Sequence, residues 1–178
     1  MNRRILWPAV LQRTLFPCAL ILALNAAGAP ASSFDEIKAQ AEKGDAEAQF
    51  ILGQMYHNGQ QVPLDRAEAA KWYRKAAEQN FALAQYFLGS LYDNGPAKIR
   101  DPAQAAKWYS QAAEKGIAPA QYALGVLYED GRGLRRDYAE AARWYRKAAQ
   151  QNHAPAQHRL GLLYEKGKGT YRDDFQAL

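Results

Sequence analysis

Histidine and serine are the residue types in this chain that could bind a metal ion or carry catalysis, and their spacing favours neither role. His153 and His158 are five residues apart, whereas two metal ligands on one helical face are typically four apart. Neither a cysteine nor a third histidine lies near them. The serines, at positions 32, 33, 90 and 110, form no pattern with a histidine that is typical of a nucleophile and its general base. We therefore expect no enzyme activity, no metal site and no cofactor.

Gly131-Arg132-Gly133 is a candidate for a loop that binds a phosphate group. A dinucleotide-binding loop needs a third glycine and a preceding β-strand. Here Leu134 and two arginines follow, and the stretch lies between two predicted helices. We interpret it as a connection between helices.

The first 31 residues resemble a targeting segment. Arg3, Arg4 and Arg13 lie in or ahead of an apolar run of ten residues at 15–24, and small residues at A-x-A spacing end at Ala31. This order is typical of a cleaved secretory signal peptide, and ten apolar residues cover only about half of a ~30 Å hydrocarbon core. We expect residues 1–31 to be a signal peptide, the mature chain to have no membrane anchor, and its location to be periplasmic or secreted.

The positive charge of the chain lies mostly in that segment. The whole sequence carries a net charge of +5. Three of these charges are the arginines of residues 1–31, which contain no acid, so +2 is left for the remainder. A charge this small argues against a nucleic-acid partner. Cys18, the only cysteine, also lies in the segment, so the mature chain can hold no disulfide.

Beyond residue 44 the sequence repeats every 36 residues without an insertion. Glutamine recurs at 49, 85, 121 and 157, glycine at 53, 89, 125 and 161, and tryptophan at 72, 108 and 144. Each repeat contains two apolar patterns with helical spacing. One helix pair cannot bury a core, but stacked pairs bury a continuous one. The sequence predicts an all-α solenoid of 36-residue helix-turn-helix repeats, with the tryptophans in the core.

Residues suited to helix ends mark the boundaries within each repeat. A left-handed glycine is predicted to end each first helix, and an aspartate with Glu or Gln three residues later predicts a capping box at the start of each second helix. Asparagine or glycine, both tolerant of positive φ, is predicted to end the second helix. These positions are Gly59, Gly95, Gly131 and Gly167; Asp65, Asp101, Asp137 and Asp173; and Asn80, Gly116 and Asn152.

The predicted organisation is a signal peptide, a cap and four repeats. Residues 32–44 form an N-terminal capping helix that opens at Ser33; the repeats are 45–80, 81–116, 117–152 and a partial fourth, 153–178. The fourth stops five residues into its second helix, which would leave Leu160, Leu163 and Tyr164 without their usual cover. Either the chain is truncated there, or this edge meets a partner or a second copy in a homodimer.

The stretch APAQYALGVLYEDGRGLRRDYAEAARWYRKAA at 118–149 resembles the Sel-one-like repeat family, which is related to the tetratricopeptide repeat. The resemblance extends from Gly44 to the C-terminus. It implies a right-handed α/α superhelix whose members act mainly as adaptors and scaffolds for protein complexes. Some secreted bacterial relatives are cysteine-rich, with one disulfide per repeat. This chain departs from them, so their particular activities are not expected here.

A comparison of the repeats with one another separates constant from variable positions. On the first helices the variable positions share one face and recur every 36 residues, which lines them up along the solenoid. We predict that this first-helix strip lies on the concave side and binds a partner. Its residues are Ile51, Gln54, Phe87, Ser90, Ala123, Val126, Arg159 and Leu162. The alternative is that superhelical curvature buries these residues against one another.

The second helices carry a basic stripe that includes Lys71, Arg74 and Lys75. A solvated convex face explains it, and binding of anionic lipid or polysaccharide is the alternative. The leading functional hypothesis is an exported interaction module that binds a protein or peptide in the concave groove. An exported enzyme inhibitor or envelope-stress regulator is the second hypothesis, and a hydrolase is the third.

Overall fold

The computed structural model describes residues 33–169, which form helices and contain no strand. After α1, the first helices of the four repeats are α2, α4, α6 and α8, and the second helices of the first three repeats are α3, α5 and α7. Their bounds are Phe34–Glu42 (α1), Ala46–Asn58 (α2), Arg66–Glu78 (α3), Ala82–Asn94 (α4), Pro102–Glu114 (α5), Ala118–Asp130 (α6), Tyr138–Ala149 (α7) and Ala154–Glu165 (α8). Each helix packs mainly against its neighbours in sequence, which confirms an all-α solenoid. The predicted signal peptide, Asp173 and the second helix of the fourth repeat lie outside the described residues.

The glycines that follow the first helices agree with the prediction at three of four positions. Gly59, Gly131 and Gly167 are left-handed, with φ of 69°, 71° and 65°. The prediction is wrong for Gly95, whose φ of −71° and ψ of −179° are extended. Pro96 is the reason, because a proline restricts the preceding residue to extended conformations. Asn80, Gly116 and Asn152, at the ends of the second helices, all have positive φ as predicted.

Aspartates begin the second helices, as predicted for the described repeats. The carboxylate of Asp65 accepts hydrogen bonds from two backbone N–H groups of the first turn of α3, and Asp101 caps α5 in the same way. Asp137 caps α7 by accepting from one, the N–H of Glu140. The reciprocal half of the capping box was predicted wrongly. The backbone N–H of Asp65 donates to the carbonyl of Tyr56 at 2.9 Å, and the Glu68 carboxylate instead pairs with Lys71 at 2.7 Å.

The repeated glutamines join each repeat to the one before it. The side-chain amide of Gln85 donates to the carbonyl of Ala77, near the end of the preceding second helix, at 3.1 Å. Gln49, Gln121 and Gln157 make the same bond to a carbonyl eight residues earlier. Each of these carbonyls also accepts the backbone N–H three residues later, so the glutamine adds a second hydrogen bond there and holds adjacent repeats in register.

The core consists of small alanines and large aromatic rings. Trp72, Trp108 and Trp144 are buried, with exposed fractions of 7%, 8% and 4%, which confirms their predicted place. Most of the alanines near them on the second helices, such as Ala69 and Ala76, are also buried, and they allow the helix backbones to approach closely.

The repeated glycine of the first helix makes room for a tyrosine of the second helix. A Cβ atom built on Gly125 would lie 2.6 Å from Cε1 of Tyr145, well inside the usual carbon contact of about 3.5–4.0 Å. Gly53 and Gly89 stand in the same relation to Tyr73 and Tyr109. All three tyrosines are almost completely buried. Only glycine therefore lets these rings reach the first helices.

At the N-terminal end of the described region, α1 covers the first repeat. Ala41 is buried together with Leu52, Met55 and Trp72, and Phe34 and Ile37 pack against this cluster. Among residues 33–169, no helix is long and apolar enough to cross a membrane.

Candidate partner-binding strip

All residues of the predicted first-helix strip are half-buried. Each first helix contributes a pair of them three residues apart, from Ile51 and Gln54 on α2 to Arg159 and Leu162 on α8. On α2, α4 and α6 the constant leucines between them, such as Leu52 and Leu88, are buried, whereas Leu160 on α8 is half-buried. The strip is thus neither solvated like the second-helix lysines nor enclosed like the core.

The apolar members of the strip rest on the core with one side. Ile51, Phe87 and Ala123 pack against the main cluster of buried residues, and Val126 packs against the cluster of the third repeat. Because their remaining surface is accessible, they form an apolar ridge that a partner could cover.

Phe87 is the strip residue that is most engaged in the fold. Its ring centroid lies 5.5 Å from that of Phe50, 5.6 Å from Tyr73 and 5.2 Å from Tyr86. Aromatic pairs at such distances contribute about 0.5–1.5 kcal/mol each beyond the area they bury. Phe87 therefore contributes to the stability of the fold as well as to the accessible surface of the strip. A substitution at Phe87 would change both, so it cannot test binding alone.

A row of polar groups runs beside the strip, one residue before the ends of α2, α4 and α6. On α4, the Asp93 carboxylate is buried and accepts a hydrogen bond from Arg132 at 2.7 Å. Arg132 belongs to the Gly131-Arg132-Gly133 stretch, which joins two helices as predicted. Ser90, a member of the strip, forms a hydrogen bond with the Tyr109 hydroxyl.

The equivalent group on α6 is Glu129. The Tyr145 hydroxyl donates to its Oε2 at 2.7 Å, and Arg159 of the strip lies 3.4 Å from its Oε1. Burial, with a smaller contribution from Glu129, raises the pKa of Tyr145. The Tyr145 hydroxyl therefore remains a donor at neutral pH, and the Glu129 charge is satisfied within the protein.

On α2 the same position is occupied by His57 and carries no negative charge. Burial lowers the pKa of His57, and Arg66 lowers it further, so the imidazole is neutral at neutral pH. Within residues 33–169, neither His57 Nδ1 nor the Tyr73 hydroxyl has a hydrogen-bond partner. The row therefore changes from a neutral end at the first repeat to paired carboxylates further along.

The sequence interpretation missed this row. His57, Asp93 and Glu129 occupy one repeat position and differ in type, so the same comparison between repeats would have included them. The strip is defined by the positions of Ile51 and Gln54 in the repeat, and the position of His57 lies outside it.

The residues first considered for metal binding or catalysis have other contacts in the described part of the chain. No group of three or more His, Cys, Asp or Glu side chains in residues 33–169 could hold a metal. Ser90 is bonded to a tyrosine rather than a histidine, and His153 packs on the ring of Tyr122 at 5.1 Å. The charges beside the strip are paired internally, so what it offers a partner is apolar and neutral polar surface.

Stacked helix pairs with a half-buried strip along their first helices define an all-α repeat solenoid of the scaffold class. The Sel1 repeat family model matches residues 46–81, 82–117, 118–153 and 154–178, and the chain belongs to this family. Proteins of the family generally mediate protein–protein interactions and are typically non-catalytic scaffolds. No curated protein sequence is significantly similar to this chain.

Solved structures of bacterial proteins resemble this one. The protective antigen c5321 of uropathogenic Escherichia coli, which displays an SLR fold, is 41% identical over 80% of this chain, with a TM-score of 0.75; the chain spans only 30% of its length. A Sel1 repeat protein from Oxalobacter formigenes is 40% identical over 70% of this chain and 94% of its own, with a TM-score of 0.63. Helicobacter pylori cysteine rich protein B, 21% identical over 75% of this chain and 98% of its own, has a TM-score of 0.58 and shows the fold alone.

Proposed function

We propose that this protein is an exported interaction scaffold that holds a segment of a partner protein along the first-helix strip on the concave side of the solenoid. The observation that carries the proposal is the half-buried state of all eight strip residues, which occupy the same positions on successive first helices. Most of the apolar residues among them pack against the core with one side, and their accessible side forms a continuous surface that a partner could cover.

The chemistry of the strip favours a partner segment that is mainly apolar. Ile51, Val126 and Leu162 supply the accessible apolar surface. Asp93 and Glu129, whose side chains are 7% and 20% exposed, are already paired with Arg132 and Arg159, and their carboxylates therefore offer little free charge to a partner. We therefore expect binding that persists at high salt, since screening acts mainly on exposed charges.

Export is the second part of the proposal. The basic start, the apolar run and the small residues ending at Ala31 support it, as does the bacterial origin of the similar proteins. A periplasmic or secreted location would place the strip among envelope proteins.

The test is affinity capture from a bacterial envelope extract at high salt, scored by mass spectrometry. Leu162→Asp and Val126→Asp each place a charge on the strip. Leu64→Asp is the matched control, because Leu64 is 58% exposed and lies off the strip. Melting curves by circular dichroism show which variants remain folded.

The proposal expects a protein that the wild type and Leu64→Asp retain and that both strip variants lose while still folded. If all four chains recover the same proteins, the strip is not the binding surface and the proposal fails.

A further inference from the structure

A recess with an excess of positive charge lies on the opposite face of the helix pair, between α3, the start of α5 and the loop that joins α4 to α5. Its volume is about 890 Å³, within the range of about 300–1,000 Å³ typical of ligand sites. We call it the basic recess. Lys71, Arg74 and Lys75 line it from α3, and Lys98 and Arg100 line it from the loop. The lining includes two carboxylates, so cations exceed acids by three.

The recess exists because the loop of the second repeat differs from those of the next two. Gly133 and Gly169 pack so tightly against backbone carbonyls of the preceding second helix that neither has room for a Cβ. Ala97 occupies this register in the second repeat, after the extended Gly95 and Pro96. Because of its methyl group, Ala97 prevents the loop from packing as closely against α3, and the space beside α3 remains open.

The corresponding space in the next repeat is smaller and less basic. It has a volume of about 450 Å³, and Leu134 occupies the register of Lys98. On α5, Ser110 and Gln111 stand where α3 has Arg74 and Lys75. The recess is therefore more basic than the corresponding space of the next repeat. On α7, Arg143, Arg146 and Lys147 stand where α3 has Lys71, Arg74 and Lys75, and Arg146 contacts the Tyr164 hydroxyl as Arg74 contacts that of Tyr92; the residue equivalent to Lys98 there lies outside the described residues.

One of these cations is held in place by a buried residue. The Arg74 guanidinium contacts the Tyr92 hydroxyl and lies 5.9 Å from the centre of the Tyr92 ring, and Tyr92 is only 7% exposed. A guanidinium fixed in this way loses little freedom when it binds a further acceptor. Lys71, by contrast, is paired with Glu68 at 2.7 Å.

We propose that the basic recess binds an acidic peptide segment, with carboxylates bridging Arg74 on α3 and Lys98 on the loop. The planar fork of arginine fits a carboxylate bidentately. Cations line the recess both from α3 and from the loop, so a carboxylate side chain that projects into it can contact both. Ile99 and Ala70 line the same space and offer apolar contact to the methylene groups of glutamate.

The experiment measures fluorescence anisotropy of a fluorescein-labelled peptide of alternating Glu and Gly, titrated with the full chain. A peptide with Gln in place of Glu is the probe control. Arg74→Glu/Lys98→Glu removes the two proposed ligands. Lys107→Glu/Lys147→Glu is the matched protein control, because it changes the net charge equally on the second helices and outside the recess.

The proposal expects the wild type and the Lys107→Glu/Lys147→Glu control to bind the acidic peptide equally, with affinity that falls as salt rises. The recess variant should bind at least tenfold more weakly, and the Gln peptide should not bind. Lys98→Leu, which installs the residue of the third repeat, should lose affinity severalfold with unchanged melting. The strip variant Leu162→Asp should bind the peptide normally, which separates this proposal from the proposed function.

Three results would overturn it. Equal weakening of both double variants would mean that overall charge, not the recess, attracts the peptide. No measurable binding of the acidic peptide would refute the site. The recess would be assigned to phosphates instead if inorganic phosphate displaced the peptide at a lower concentration than free glutamate does. Binding of phosphatidylglycerol vesicles that is lost in the recess variant would have the same meaning.

Discussion

Gly125→Ala tests the explanation given for the repeated glycine of the first helices. The added methyl would lie 2.6 and 2.7 Å from two ring carbons of Tyr145, so the ring must move by about 1 Å to reach an ordinary contact. Tyr145 has no exposed surface and its hydroxyl is bonded to Glu129, so movement disturbs both the packing and that bond.

The expected magnitude is the difference between opposing effects. Overpacking costs about 1–3 kcal/mol, and loss of the Tyr145 hydrogen bond costs about 1 kcal/mol. Replacing a helical glycine with alanine returns about 1 kcal/mol. We expect a net destabilisation of about 2 kcal/mol, which lowers the melting temperature by about 4–8 °C in a chain of this size.

The assay is urea and thermal unfolding followed by circular dichroism, arranged as a double-mutant cycle with Tyr145→Leu. In the Tyr145→Leu background the ring is absent, so Gly125→Ala should be neutral or stabilising. Equal destabilisation by Gly125→Ala in both backgrounds would show that the ring is not the cause, and the explanation would be refuted.

Four further predictions concern the core, the tyrosines and the N-terminus. Trp108→Ala should reduce the free energy of unfolding by about 3–5 kcal/mol through the void it leaves; a loss under about 1 kcal/mol in urea titrations would contradict its core role. Phe87 is half-buried among three rings, so Phe87→Ala should reduce the free energy of unfolding by roughly half as much. An unchanged melting temperature would show that those ring contacts do not stabilise the fold. Burial raises the pKa of the three core tyrosines above the ordinary value of about 10. Their contribution to the free energy of unfolding is therefore complete below that pH and is lost as the pH rises above it. In an alkaline titration, the last increase in phenolate absorbance should coincide with loss of the helical circular dichroism signal. Ionisation of these tyrosines without unfolding would disprove the argument. Intact-mass analysis of the periplasmic fraction should find a chain that begins at Ser32; a chain that retains Met1 would show that the signal-peptide interpretation is wrong.

The regular parts of the fold were predictable because each repeated residue has one local physical role. The tryptophans and alanines recur at helical spacing, which places them on the side of each helix that faces the core. Asp65, Asp101 and Asp137 accept hydrogen bonds from the backbone N–H groups in the first turns of helices. The same residues recurring every 36 positions gave independent support for each role. Gly95 departs from the pattern because its neighbour Pro96 overrides the preference of glycine for the left-handed region.

The finer features of the site depend on contacts between repeats, which no single repeat encodes. Arg132 comes from the loop of the third repeat and reaches Asp93 of the second, so the pairing could not be read from either stretch alone. The basic recess depends on how closely the Ala97 loop seats on α3. The strip itself was predicted from variation between repeats, and its use by a partner remains a prediction.

The glutamine bonds to carbonyls eight residues earlier have a mechanical consequence. Because adjacent repeats are joined mainly by contacts that are short in sequence, tension applied to the ends is resisted by one interface at a time rather than by the whole molecule. Extension of a single chain should therefore proceed as a series of similar small force peaks. Each released repeat of 36 residues would lengthen the chain by about 120 Å, at ~3.4 Å per extended residue. A solenoid of this kind can act as a spring between whatever its two ends are attached to.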